Sequence, residues 1–187
     1  MERIPRNFME SIACFCLGIL PSWEMPKAAV FGLLEGYDSG SLRRLAGETN
    51  PTMADCAPLF EKTVSELKLQ WPTKFKALLI LMKPTLEAMV TGKIDIIDGS
   101  RDLDGLATLL YAEKEFALVS IFIGVTDEAD KFPLNEEGWD LLSKDYRKRL
   151  EKEREDFIEW YGKEVFSKCE ALLKRMSVEY WLWAVTQ

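Results

Sequence analysis

The sequence predicts an all-α fold: a single domain over residues 1–187, built as an orthogonal or irregular bundle of about seven or eight helices with a long C-terminal helix. Three observations carry this expectation. Apolar residues recur at spacings of three and four along nearly the whole chain. Glycines and prolines fall between those runs as punctuation. A chain of 187 residues, 48% apolar and 29% charged, can bury a full core without disulfide or metal staples.

Phe8, Ile12, Phe15, Cys16 and Ile19 share one helical face in a first helix that stops at Pro21. The apolar run Ile12 to Leu20, preceded by Arg3 and Arg6, loosely mimics a signal-peptide core. Glu2 and Glu10 oppose a positive leader, and the run ends in Pro21-Ser22-Trp23 rather than a small-residue cleavage site. It is also too short to cross a bilayer. A buried first helix and a cytoplasmic location are therefore expected.

Pro26 suits the first turn of a second helix, which carries Val30, Leu33 and Leu34 and halts at Gly36. A short helix follows over Gly40 to Ala46, with Asp38 or Ser39 as N-cap and Gly47 as its stop. Thr52, with Asp55 three residues on, caps a helix through Leu67 whose apolar stripe is Met53, Cys56, Phe60, Val64 and Leu67. Pro72 and Thr73 open the next, with Phe75, Leu78, Leu79, Met82, Leu86 and Met89 inside and Gly92 at its end. Pro84 is expected to kink or split it.

Asp95 or Asp98 caps a helix carrying Leu103, Leu106, Leu109 and Leu110. The run Phe116 to Val125 has two faces, since Val119, Ile121, Ile123 and Val125 alternate as a strand would. No other segment offers a partner strand, so the run is read as a buried helix. Glu136 to about Met176 reads as one long helix or two in line. Within it, Arg147 to Asp156 is charged nearly all round and is expected to project into water.

Composition excludes several chemistries. The chain contains no histidine, so no Ser-His-Asp or Cys-His constellation and no His-ligated zinc, haem or iron can be assembled. Cys14, Cys16, Cys56 and Cys169 lack zinc-knuckle spacing and read as reduced core residues. Ser100, Asp102, Asp104 and Gly105 imitate the start of a calcium loop. The twelfth position is Tyr111, which cannot supply the bidentate carboxylate, so capping explains these acids better. No metal and no cofactor is expected.

Charge is uneven. Residues 1–93 hold 11 basic and 10 acidic side chains, and residues 94–187 hold 13 and 21. The densest acid, Asp127, Glu128, Asp130, Glu136, Glu137 and Asp140, flanks Phe132-Pro133 in an expected loop. Such a face repels nucleic acid and draws a basic partner, or serves simply as a solvated surface that keeps the protein soluble. The basic run Arg147-Lys148-Arg149 is interleaved with acids at i,i+4 and does not suit a polynucleotide. The aromatic tail Tyr180, Trp181 and Trp183 lacks the basic residues of a membrane anchor. It is expected to pack on the core, with a partner hot spot as the alternative.

Two stretches carry a resemblance. Gly36-Tyr37-Asp38-Ser39-Gly40-Ser41-Leu42-Arg43-Arg44-Leu45-Ala46-Gly47 is followed by Pro58-Leu59-Phe60-Glu61 and Leu67-Lys68-Leu69. Further on, Gly92-Lys93-Ile94-Asp95 runs into Asp98-Gly99-Ser100-Arg101. Together, over roughly residues 33–110, they resemble a widespread set of small bacterial all-helical proteins of unknown function. Ser100 stands where those proteins have alanine and Gly40 where they commonly have proline. The resemblance supports the fold, implies no reaction, and suggests immunity or accessory roles in bacterial toxin systems.

The expectation for function is thus a cytoplasmic bacterial interaction protein. It would bind a basic protein partner, such as a toxin domain, through Asp127, Glu128, Asp130, Phe132, Glu136, Glu137 and Asp140, with no role for nucleic acid or membrane. The competing expectation is a histidine-free enzyme holding Mg²⁺ between helices through Asp95, Asp98 and Asp102.

Overall fold

A computed structural model describes residues 5–184, with side chains described as far as Met176. Glu2 and Arg3 of the leader-like segment, and the side chains of Tyr180, Trp181 and Trp183, lie outside the described residues. Among the described residues there are nine α-helices, two 3-10 segments and no strand. The fold is an all-helical bundle with a long C-terminal helix. No helix among them is long and apolar enough to cross a membrane.

The chain divides into two compact units, Met1–Leu81 and Met82–Gln187. The division falls inside a helix, shortly before Pro84.

The first unit contains α1 (Phe8–Cys16), a 3-10 turn (Ser22–Glu24), α2 (Met25–Leu34), α3 (Gly40–Ala46), α4 (Met53–Glu66) and the start of α5 (Lys74–Val90). Its helix starts are closed by side chains. The Asn7 carboxamide accepts from the Glu10 amide, while the Glu10 carboxylate accepts from the Arg6 amide, a reciprocal cap. Ser39 accepts from the Leu42 amide and Thr52 from the Asp55 amide, as their spacing predicts. Glu66 reaches from α4 to accept both the amide and the hydroxyl of Ser41, each at 2.9 Å, which ties α3 to α4.

The core of this unit is aromatic. Phe15 stacks on Phe60 at 4.8 Å between centroids, and Phe8 lies 6.0 Å from Phe60. Helix α2 turns Met25, Ala28, Ala29 and Gly32 inward. It leaves Val30 and Leu34 exposed, against the sequence expectation. Apart from the exposed Lys27 the helix is apolar around its circumference, so periodicity marked its inner face weakly; the small residues marked it better, because they let neighbours approach closely. A side chain at Gly32 would meet the Phe8 ring at 3.2 Å and Leu42 at 3.3 Å. Met53, placed in the α4 stripe by its spacing, is also exposed.

The second unit contains the rest of α5, α6 (Ile96–Thr108), a 3-10 segment (Lys114–Leu118), α7 (Ser120–Glu128), α8 (Glu136–Asp140) and α9 (Lys144–Ala184). Helix α5 continues unsplit past Pro84. Helix α6 packs on both α7 and α9. It comes so close to α5 that a Cβ at Gly99 would overlap the Met89 side chain. The two-faced run 116–125 is helical: Val119, Phe122, Val125 and Ala129 are buried at a helical period, while Ile121 and Ile123 are half-buried. Phe122 is the residue that the strand-like alternation left out.

Residues 136 onward form two helices, so the long helix begins only at Lys144. Its charged section is less solvated than expected, since Leu150 is buried and Arg147 and Arg154 are half-buried. The four cysteines form no disulfide. Cys14, Cys56 and Cys169 are buried, and desolvation pushes the Cys169 thiol up to about 12.

Candidate functional site

Two arginines organise the acidic half. Asp95 caps α6, one carboxylate oxygen accepting from the amides of Ile97 and Asp98 at 2.9 and 3.0 Å. Its other oxygen accepts from the Arg154 guanidinium of α9, which also stands 3.5 Å from Asp98. One turn into α6, Arg101 donates to the carbonyls of Ala129 and Phe132 at 2.9 and 2.8 Å. That clamp fixes the turn that leads out of α7 and toward α8.

The turn is also seated on α9. Phe132 packs edge-on against Phe157 at 5.7 Å. Lys131 pairs with Glu153 at 3.6 Å, and Tyr161 donates to Glu128 at 2.6 Å. The acidic loop is therefore a braced surface rather than a free tether.

The seven residues expected to meet a partner fall into three settings. Asp127, Glu128 and Asp130 are exposed around the end of α7. Burial, together with the nearby charges of Asp127 and Asp130, raises the Asp104 carboxyl above its ordinary value, so three carboxylates share one field. Glu136 and Asp140 are tied instead to Arg147, at 3.6 and 2.8 Å, and Arg147 also holds Glu151 at 2.8 Å. Glu137 is exposed beside them on α8. Phe132 is a correction: at 1% exposure it anchors the turn from within and offers no contact surface.

A groove of about 510 Å³ opens in this unit. One wall is Pro133, Leu134, Asn135, Glu136 and Trp139; the other is Arg147, Glu151, Arg154 and Glu155 of α9, with Asp98 at one end. Of these ten, the sequence had singled out only Glu136 as a contact. The missed signal was the spacing of Arg147, Glu151 and Arg154 at i, i+4 and i+7, which puts them on one stripe of α9. Interleaved signs concealed it by making the segment read as uniformly solvated.

The acids offered for a metal are arranged otherwise. Asp95 is engaged by two amides and Arg154, and Asp98 faces Arg101 and Arg154. Among the described residues no three Cys, Asp or Glu side chains converge as a metal site would require. Comparison with known protein families, with curated proteins and with solved structures found no match.

Proposed function

We propose that this is a bacterial interaction protein, resident in the cytoplasm, whose acidic second half binds a basic protein partner, and that its role is that of an immunity-type inhibitor of a toxin. One observation carries the reading. Asp127 and Asp130 are exposed on a braced turn beside Asp104, where like charges raise one another's free energy. A cationic surface would relieve that repulsion, and long-range attraction would speed the encounter. The resemblance of residues 33–110 to small bacterial helical proteins supports the immunity role.

The test uses the full chain and a variant carrying Asp127→Lys, Glu128→Lys and Asp130→Lys. Each is immobilised and exposed to lysate of the source cells, and any captured protein is identified, purified and titrated directly. The expected partner is basic, binds the wild type, and weakens steeply between about 50 and 500 mM salt as screening shortens. It should bind the variant far more weakly. Absence of any partner, or one indifferent to salt and to the three lysines, would overturn the proposal.

A further inference from the structure

We infer that the groove between the 133–139 segment and α9 receives an arginine or lysine side chain from that basic partner, a subsite distinct from the exposed acids at the end of α7. The inference rests on the proposed function and gives it a recognition point. Six carboxylates act on the groove or its arginines: Asp98, Glu136, Glu151 and Glu155 line it, while Asp95 and Asp140 hold the two guanidinium groups from behind. Arg147 and Arg154 answer them from the groove lining, both already engaged, and Arg101, outside the lining, stands 3.8 Å from Asp98. Lys152, outside the lining, reaches Glu155 at 3.6 Å but sits closer to Asp156, at 2.9 Å.

An anion entering here would meet an excess of negative charge, whereas a cation would meet four lining carboxylates shared between two lining guanidinium groups. The Asp98 carboxyl is raised first by burial and then by neighbouring Asp95, against the pull of Arg154 and Arg101. A bare metal ion fits poorly, because the acids do not converge on one point and the space of about 510 Å³ is far larger than an ion. A long basic side chain fits better. Pro133, Leu134 and Trp139 supply apolar surface for its methylene stem, and the Trp139 ring can take a cation on its face. Leu134, 79% exposed at the groove wall, is an apolar side chain that such a partner would cover.

The experiment follows tryptophan indole N–H signals of the ¹⁵N-labelled full chain as capped hexa-arginine is added at about 50 mM salt. The peak lost in Trp139→Phe assigns the Trp139 signal. The expected result is a saturable shift of that signal. Glu155→Lys, at an exposed position of α9, should weaken binding about tenfold, and Asp127→Asn with Asp130→Asn should weaken it less than about threefold.

Saturable binding that leaves Trp139 unmoved and responds to the Asp127 and Asp130 changes would overturn the groove while leaving the acidic-face reading standing. Equal weakening by both sets of variants, or by neither, would also overturn the groove. Failure of hexa-arginine to bind at all would overturn both.

Discussion

The two units handle charge in opposite ways. Residues 1–81 carry nine basic and nine acidic side chains, whereas residues 82–187 carry 15 and 22. The difference reaches individual groups. In the first unit the perturbed carboxyls are lowered: Asp38 by its hydrogen bonds to the Arg43 guanidinium, and Glu66 by the Ser41 amide and nearby serine hydroxyls. In the second they are raised: Asp98 by burial and then by Asp95, and Asp104 by burial and then by Asp127 and Asp130. A lowered acid has found its donors within the fold. A raised one has lost water to burial and, secondarily, stands beside others of its sign.

Five substitutions test this contrast. The largest effect belongs to the aromatic core of the first unit. Phe60→Ala removes a fully buried ring that meets Phe8 and Phe15, and should cost about 3–5 kcal/mol in urea unfolding. Amide exchange should accelerate through α1 to α4. A loss below about 1 kcal/mol would mean that the capping bonds, rather than the rings, hold that unit.

In the second unit the corresponding anchor is polar. Arg101→Met removes the guanidinium donor from the Phe132 carbonyl and leaves the Ala129 carbonyl with the Phe132 amide alone, at an expected cost of about 1–3 kcal/mol. Exchange should quicken first across residues 129–135. If those amides stay protected, the contacts of Phe132, Lys131 and Glu128 with α9 brace the acidic turn without Arg101.

Ser100→Ala should act in the other direction. The Ser100 hydroxyl is fully buried and has no hydrogen-bond partner among the described residues, so its removal should raise stability by about 1 kcal/mol. A destabilised alanine variant would show that the hydroxyl is satisfied in solution, as by a trapped water.

The smallest pair sharpens the comparison most. A lowered carboxyl stabilises the fold above its unfolded pKa, and that contribution fades as pH falls through the folded value. A raised carboxyl penalises the fold above its folded pKa, and acid relieves the penalty. Glu66→Gln should therefore destabilise at pH 7 and Asp98→Asn should stabilise. Both differences should shrink in acid, the first below the ordinary glutamate value and the second as pH drops through the raised Asp98 value. Thermal melts from neutral pH to about pH 3 read this directly. Shifts of the same sign at pH 7 would remove the distinction between the units.

Much of the fold was legible in the sequence because helix ends are local. Ser39, Thr52 and Asp95 cap the helices that their spacing announced, since a cap needs only an amide two or three residues away. Other features needed neighbours distant in sequence. The inner face of α2 was set by Phe8 and Leu42 pressing on Gly32, and the burial of Phe132 by Phe157. Spacing aligns Arg147, Glu151 and Arg154 on one stripe of α9, but no local pattern joins that stripe to Asp98 or to residues 133–139.

The chain by itself determined that this protein is helical, where most of its helices begin, that histidine chemistry is closed to it, and that its second half is acidic. Those properties follow from composition, backbone preference and contacts within a few residues. Only the tertiary structure decided which acids are answered and which are left in excess. A carboxylate's state depends on the donors, charges and water around it, and folding brings those together from remote parts of the chain.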